Sequence, residues 1–114
     1  MEPSGVPRLL ASLQPSCGAH VALLVHKDGR TLARHPLEPD CPLPDTGEAW
    51  RQLQAPEAAG SLSCITPWDQ EFWFFPVLDD RLLVLLFDAG TVPAGLSSRA
   101  RQAARELDRI LGEE

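Results

Sequence analysis

A run of six apolar residues at positions 82–87, Leu-Leu-Val-Leu-Leu-Phe, is the feature that most restricts the fold of this chain. Just before it, residues 71–78 contain four consecutive aromatic side chains, those of Phe72, Trp73, Phe74 and Phe75. Only a short polar stretch around Asp79 and Asp80 separates the two runs, which is typical of two strands joined by a turn. The pattern predicts a hairpin at the centre of the hydrophobic core.

Pro76 restricts the register of this hairpin. With a two-residue loop, position 76 would donate a ladder hydrogen bond to position 83, and proline has no N–H to donate. A four-residue loop over residues 78–81 turns the missing donor outward, and it is the arrangement that we predict. A bulge in the strand would also remove the conflict.

A second hairpin is predicted nearer the N-terminus, where residues 20–26 and 31–35 flank an Asp28-Gly29 dipeptide. Asp-Gly between strand-like runs indicates a type I′ turn, which needs positive φ at both central residues. The expected facing pairs are His26 with Thr31, Leu24 with Ala33 and Ala22 with His35. Because the first strand is apolar at successive positions and does not alternate, we expect the sheet to be covered on both faces.

Helical spacing appears in three other segments. The first helix carries an apolar stripe at the spacing i, i+3, i+4 and i+7, formed by Val6, Leu9, Leu10 and Leu13. Ser4 is its predicted cap, and Pro15 is its predicted end. Asp45 and Glu48 resemble a capping box for a second helix over residues 46–55, limited by Pro56. A third helix, capped by Ser97 or Ser98 and ended by Gly112, carries Ala100, Ala103, Ala104, Leu107, Ile110 and Leu111.

The remaining segments complete the predicted order of elements. Residues 36–45 contain four prolines and are expected to form a stiff loop. Residues 61–66 alternate weakly and are predicted to be an edge strand. The chain is therefore predicted to be one α+β domain spanning residues 1–114. It has a five-stranded antiparallel sheet with helices on both faces, in the order α-β-β-α-β-β-β-α.

Charge and hydropathy exclude several classes of function. The formal net charge is −6, and an acidic domain repels phosphate backbones, so nucleic acid is not an expected partner. No apolar run approaches the roughly 20 residues that a membrane-spanning helix needs, so no membrane insertion is expected. The first residues lack the basic and apolar segments of a signal peptide, and the predicted location is cytoplasmic.

Groups capable of catalysis or metal binding are present but scattered. Cys17 lies near His20, yet the turn at Gly18 favours a structural role for the thiol. His20, His26 and His35 fall on adjacent strands, but His26 is too far along its strand for three ligands to converge. Asp79 and Asp80 are typical turn formers. We therefore predict no catalytic residue, no cofactor and no metal. The opposing hypothesis is a small hydrolase or metal enzyme that uses His20, His35 or Cys17.

The consecutive aromatic residues at 72–75 must point to both faces of their strand. One pair fills the core, while the other must be covered by the short helix that carries Trp50, by a partner chain or by a ligand. A ten-residue helix over a wide aromatic face predicts residual apolar surface, which commonly marks an interface in which Trp is enriched. The alternative is that Trp50 packs on Trp73 within one chain.

The N-terminal amphipathic helix followed by Val-Ala-Leu-Leu-Val-His-Lys-Asp-Gly-Arg-Thr-Leu-Ala resembles the roadblock/dynein light chain domain family. Residues 82–88 and the final Ala/Leu/Arg helix resemble the rest of that domain, so the likeness spans about residues 6–111. Within the family it is most similar to the bacterial gliding-motility member, which acts on a Ras-like GTPase.

The resemblance implies a protein that is not an enzyme. Such domains form homodimers or heterodimers with another roadblock subunit, in which the central helices pair and the sheets join edge to edge. The dimer then serves as a platform for a small GTPase or a motor component. Carried over by position, the dimer surface would use Ala49, Trp50 and Leu53 of the second helix with the strand at residues 62–66, which contains Leu62 and Cys64. The face around Trp73 would lie beneath it.

The second helix predicted here is shorter than the family's central helix. Accordingly the dimer is altered, or the chain pairs with a different roadblock subunit, or dimerisation is lost. A second functional hypothesis is a regulatory module that senses a small molecule, as GAF and PAS-like domains do. In that case residues 72–75 and the proline-rich loop would line the pocket.

Overall fold

The computed structural model describes residues 5–35, 45–55, 61–67 and 69–112. The strands form one antiparallel sheet in the order β2-β1-β5-β4-β3. The element order and the five-stranded antiparallel sheet predicted from the sequence are confirmed. The elements are α1 (Gly5–Ser16), β1 (Val21–His26), β2 (Thr31–His35), α2 (Thr46–Leu53), β3 (Leu62–Ile65), β4 (Gln70–Val77), β5 (Arg81–Asp88) and α3 (Leu96–Gly112).

The two faces of the sheet carry separate hydrophobic clusters, because successive side chains of a strand point to opposite faces. Helices α1 and α3 pack on one face, and α2 packs on the other. The predicted cover on both faces is confirmed. The α1/α3 cluster takes Ala22, Leu24, Phe75, Val77, Leu83, Leu85 and Phe87 from the sheet. The α2 cluster takes Val21, Leu23, Val25, Phe72, Phe74, Leu82, Val84 and Leu86.

The β1–β2 hairpin exists, but its turn differs from the predicted type I′ turn. Val25 and not His26 is the partner of Thr31, and the register shifts between Leu24 and Val25. The His26 N–H donates to the Arg30 carbonyl at 2.8 Å, which leaves a loop of residues 27–29 with Gly29 at φ 100°. Asp28 is not among the positive-φ residues. The predicted pairs Leu24–Ala33 and Ala22–His35 are confirmed.

Local contacts of Asp28 account for this turn. Its carboxylate accepts the Arg30 backbone N–H at 3.0 Å and the Arg30 Nε at 2.9 Å. Side-chain bonds of this kind from Asp to the backbone two residues ahead hold a turn without positive φ at the Asp. Only Gly29 then adopts the left-handed conformation that closes a three-residue loop.

The β4–β5 hairpin has a three-residue loop, and the predicted four-residue loop is wrong. Val77 pairs with Arg81, and Pro76 lies opposite Leu82. Leu78 adopts φ 56°, and its N–H donates to Asp108 Oδ1 of α3 at 2.8 Å. This contact with a residue of the last helix holds Leu78 in a conformation that is unusual for a residue other than glycine.

The ladder shows how the sheet accommodates Pro76. The Ala89 N–H donates to the Asp69 carbonyl at 2.9 Å, in continuation of the β4–β5 register. Hydrogen-bonded and non-bonded pairs alternate along an antiparallel ladder. Position 76 therefore belongs to a pair without hydrogen bonds to β5. Its nitrogen faces away from β5, as expected. On that side, the described part of β3 begins with Leu62 opposite Phe74.

The helix ends agree with the sequence in part. Helix α1 continues one residue beyond Pro15 to Ser16. The Asp45 side chain accepts the Glu48 N–H at 3.0 Å and caps α2, which ends at Leu53 and not at residue 55. In α3, the predicted stripe faces the core. The predictions for Ser4, the proline-rich segment 36–44 and Pro56 lie outside the described residues. None of the helices in the described ranges has the combined length and apolarity needed to cross a membrane.

Candidate interaction surface

Five of the six predicted interface residues come together where α2 lies beside the edge strand β3. We call this set, Ala49, Trp50, Leu53, Leu62 and Cys64, the α2/β3 surface. All five pack on the cluster beneath α2. Ala49 and Leu53 are buried, at 4% and 9% exposure, whereas Trp50, Leu62 and Cys64 are half-buried. The last three are therefore the members that a partner can touch.

Trp73, the sixth predicted residue, lies on the opposite face of the sheet. It packs against the α1/α3 cluster and stacks on Phe75, with ring centroids 6.2 Å apart. Its Nε1 donates to Glu71 Oε2 at 2.8 Å. The expectations that Trp73 lies beneath the Trp50 helix, and that Trp50 packs on it, are wrong. The reason is register, because Trp73 pairs with Ser63 while Phe72 and Phe74 pair with Cys64 and Leu62.

Phe72 and Phe74 are the aromatic residues beneath α2, and sequence analysis did not single them out. They stack at 6.4 Å and are 0% and 1% exposed. The prediction that the aromatic strand leaves an uncovered apolar face is therefore wrong for these two rings. Phe72 pairs with Cys64 and Phe74 with Leu62, so all four side chains lie on the same face of the sheet. Alignment of β3 with β4 would therefore have identified them. Among the residues that the structure describes, the most exposed large hydrophobic side chain is instead that of Ile65 in β3, at 64%.

A recess of about 180 Å³ lies between α2 and β3. Asp45 and Glu48 contribute its acidic wall, and Leu62, Cys64 and Phe74 are among its apolar lining. Burial raises the pKa of the Cys64 thiol above its usual value. The recess is smaller than the roughly 300–1,000 Å³ of sites that take drug-sized ligands. It fits a partner side chain better than a metabolite.

A larger groove of about 560 Å³ runs between α1 and α3 on the other face. Arg8 and Leu9 line it from α1, and Arg99 and Ile110 line it from α3. None of residues 72–75 lines this groove, and Phe72, Phe74 and Phe75 are all fully buried. Of residues 72–75, Phe74 alone lines either of these two cavities, so neither cavity is the aromatic pocket that the small-molecule hypothesis requires. The proline-rich part of that pocket lies outside the described residues.

The candidate catalytic groups lie apart in ordinary structural settings. The Cys17 Sγ donates to the Leu13 carbonyl at 3.1 Å, and burial raises the pKa of the thiol. His20 faces Asp88 at 3.1 Å, whereas His26 lies between Asp28 and Asp80 at 3.3 and 3.5 Å. Within the four described ranges, no three His, Cys, Asp or Glu side chains are grouped to hold a metal ion. Cys41 lies outside those ranges.

Comparison with known structures gives clear matches over 93–100% of the chain. The gliding protein MglB of Thermus thermophilus superposes with a TM-score of 0.77 at 23% identity, covering 100% of this chain and 94% of that one. A structure of MglB with a tetrameric arrangement gives 0.75 at 24% identity, covering 99% and 93%. A Roadblock/LC7 domain from Streptomyces avermitilis gives 0.69 at 13% identity, covering 93% and 97%.

These matches identify the fold as roadblock-like and related to that of MglB. No family model matches the sequence, and comparison with curated proteins also gives no match.

Proposed function

We propose that this protein is a non-catalytic, dimeric interaction module that regulates or scaffolds a Ras-like small GTPase. The observation that carries the proposal is the match to MglB over 100% of this chain and 94% of the other, at a TM-score of 0.77. The resemblance noted in the sequence implies the same role, because the gliding-motility member of the family acts on a Ras-like GTPase.

Self-association is supported by the position of β3 at the edge of the sheet. An edge strand presents unpaired backbone groups, which readily pair with a strand of another chain. The exposed Ile65 and the half-buried Leu62 and Cys64 lie on this strand. The tetrameric MglB structure supports the idea that this fold assembles through its own surfaces. The proposed partner is a second copy or another roadblock subunit.

The α2/β3 surface is the proposed region of contact between the two subunits of the dimer, and Trp50 is its central residue. Trp is enriched at the energetic centres of interfaces, and Trp50 is half-buried on a helix whose neighbours Ala49 and Leu53 fix it to the core. Trp73 is left out of this surface because the sheet separates it from Trp50. The raised pKa of the buried Cys17 thiol argues against Cys17 as a catalytic thiol, since a catalytic thiol needs a lowered pKa.

The GTPase half of the proposal can be tested by biolayer interferometry. The Ras-like GTPase of a bacterial gliding system, loaded with GDP or with a non-hydrolysable GTP analogue, is the probe. We expect binding that depends on the nucleotide, and we expect a Trp50→Glu variant to weaken it at least tenfold. The matched control is Trp73→Leu, which we expect to bind as the unmodified chain does.

Two results would contradict this half of the proposal. One is no binding in either nucleotide state by a correctly folded protein. The other is an equal loss of binding in the Trp50 and Trp73 variants. The self-association half is tested separately, by molar mass in solution.

A further inference from the structure

Helices α1 and α3 lie antiparallel to each other on their face of the sheet. The Arg99 side chain, near the start of α3, donates to the carbonyl of Ser16 at the end of α1. At the other end, Gly5 begins α1 beside Ile110, and a Cβ at Gly5 would lie 3.2 Å from Ile110 Cδ1. The groove of about 560 Å³ between the two helices therefore follows the length of α1, with Arg8 near one end and Arg99 near the other. We call it the α1/α3 groove.

The floor of the α1/α3 groove is apolar, and its rims are polar. Leu13 and Ala103 are buried at its base, whereas Leu9 and Ile110 are half-buried and keep part of their side chains accessible. The exposed side chains along the rims are those of Arg8, Ser12, Ser16, Arg99, Gln102 and Glu106. A groove of this form receives the apolar face of an amphipathic helix.

The two helices are basic in a protein that is otherwise acidic. They carry five arginines and two acidic residues, a formal charge of +3, whereas the whole chain carries −6. Both carboxylates are engaged, because Glu106 accepts from Arg109 at 2.8 Å and Asp108 accepts the Leu78 N–H at 2.8 Å. Arg8 makes no hydrogen bond or ion pair with any residue that the structure describes. The groove therefore complements an acidic partner.

We propose that the α1/α3 groove binds an acidic amphipathic helix of a second partner protein. Apolar side chains of that helix pack on Leu9, Leu13 and Ile110, and its carboxylates pair with Arg8 and Arg99.

The spacing of the two arginines determines the pattern that the bound helix must carry. Arg8 lies eight residues before Ser16, the residue that Arg99 contacts, which is about 12 Å along α1. Residues i and i+7 of a helix are about 10.5 Å apart along its axis and lie on one face together with i+3 and i+4. Carboxylates at i and i+7 can therefore reach both arginines, while apolar residues at i+3 and i+4 face the floor of the groove.

The α1/α3 groove is separate from the α2/β3 surface, because the two lie on opposite faces of the sheet. A helix in the groove leaves Trp50 accessible, so one molecule can hold two partners at once. The groove does not depend on the proposed dimer or on the proposed GTPase. A helix fits it better than a lipid surface does, since a flat bilayer meets the charged rims and does not reach Leu9 and Ile110 between them.

Fluorescence anisotropy with the full chain and a synthetic peptide tests this site. The probe is a fluorescein-labelled helical peptide of about 15 residues, with glutamate at i and i+7 and leucine at i+3 and i+4. We expect saturable binding that weakens as the salt concentration rises. Arg8→Glu should weaken it about fivefold or more, because it replaces an attraction with a repulsion. The matched control is Arg105→Glu, since Arg105 is exposed on α3 and does not line the groove.

Two further measurements separate direct pairing from general effects. A peptide in which one glutamate is replaced by lysine, tested at i and i+7 in turn, should bind Arg8→Glu more tightly than it binds the unmodified chain. The Trp50→Glu variant should bind the original peptide as the unmodified chain does, because Trp50 lies on the other face of the sheet. Peptide binding by a protein that fails to bind the GTPase would support this site and contradict only the proposed function.

Three results would overturn the proposal. The first is no saturable binding up to about 1 mM peptide by a chain that circular dichroism shows to be folded. The second is equal weakening by Arg8→Glu and Arg105→Glu, which would show general attraction to a basic helix. The third is binding to phosphatidylserine vesicles that Arg8→Glu abolishes, in the absence of peptide binding, which would assign the groove to a lipid surface.

Discussion

Trp50 and Trp73 lie on opposite faces of the same sheet. Trp50 packs with α2 over the cluster that contains Phe72 and Phe74, whereas Trp73 stacks on Phe75 in the cluster beneath α1 and α3. A partner that covers α2 therefore reaches Trp50 and not Trp73. The two residues are of the same type and both half-buried. Substitution of each residue in turn can therefore separate loss of binding from loss of stability.

We predict that Trp50→Glu raises the dimer dissociation constant by about tenfold or more, because a charge is placed at the proposed centre of the interface. Sedimentation velocity over a concentration series measures the change. Trp73→Leu is the control and should leave the dissociation constant within about twofold. It should instead lower the free energy of unfolding by about 1–3 kcal/mol, since it removes packing against Phe75. A dimer equally sensitive to both substitutions would contradict the assignment of faces.

A proline at position 63 should weaken the dimer without disturbing the fold. Ser63 directs its N–H to the free edge, so Ser63→Pro removes a donor from the proposed junction and none from the β3–β4 ladder. We expect the dissociation constant to rise and the melting temperature of the dilute monomer to stay within a few degrees. Ser63→Thr keeps the N–H and serves as the control. Full dimerisation of a folded Ser63→Pro variant would exclude β3 pairing through Ser63.

The cap of α2 should be worth about 1 kcal/mol of stability. The Asp45 carboxylate accepts the Glu48 N–H at 3.0 Å, and replacement of such a cap with alanine typically costs about that amount. Urea denaturation of Asp45→Ala should show this loss. Asp45→Asn, which keeps an acceptor oxygen, should recover most of it. Equal stability of the alanine and asparagine variants would show that the cap does not hold the helix.

The Cys17 thiol should be unreactive in the folded protein. Burial is the main cause of its raised pKa, and the Sγ donates to the Leu13 carbonyl. A raised pKa means less thiolate at pH 8, and the thiolate is the reactive form. Alkylation with iodoacetamide followed by mass spectrometry should label Cys17 only after denaturation. Rapid labelling in the native state would revive the hypothesis of a catalytic thiol.

The β1–β2 turn should lose stability in acid. The hydrogen bond from the Arg30 backbone N–H has the largest effect on the pKa of Asp28 and lowers it. Burial acts in the opposite direction, and the Arg30 side chain lowers the pKa further, so the net shift is downward. A lowered folded-state pKa gives stability that is present above the unfolded value, near 4, and is lost as the pH falls through the folded value. Asp28→Asn should therefore be less stable than the parent at pH 7, and the difference should shrink as the pH falls below about 4. A difference that does not change between pH 7 and pH 3 would contradict this account.

Patterns within single elements were enough to predict much of the fold. The apolar runs of β1 and β5, the Asp45–Glu48 cap and the stripe of α3 are all local signals, and each element formed where its signal lies. The residues of the α2/β3 surface were proposed from the family resemblance and not from such signals, and five of the six proposed residues lie together in the structure. Its role in binding remains a prediction, as do the cytoplasmic location and the single-domain extent of residues 1–114.

The errors arose where contacts between distant or neighbouring elements decide the geometry. The loop after β4 is held by Leu78 and Asp108, which are 30 residues apart. The first turn depends on the bonds between Asp28 and Arg30, which outweigh the type I′ preference of Asp-Gly. The face of Trp73 depends on the alignment of β4 with β3, and the aromatic run 72–75 carries no alternation that would reveal it.

The measurement that tests the central claim most directly is molar mass by light scattering after size exclusion, over a concentration series. The account predicts a stable species at twice the chain mass of 12.5 kDa, which shifts to the monomer in the Trp50→Glu and Ser63→Pro variants. A strict monomer of 12.5 kDa at every concentration, with the protein folded, would contradict the proposed homodimer.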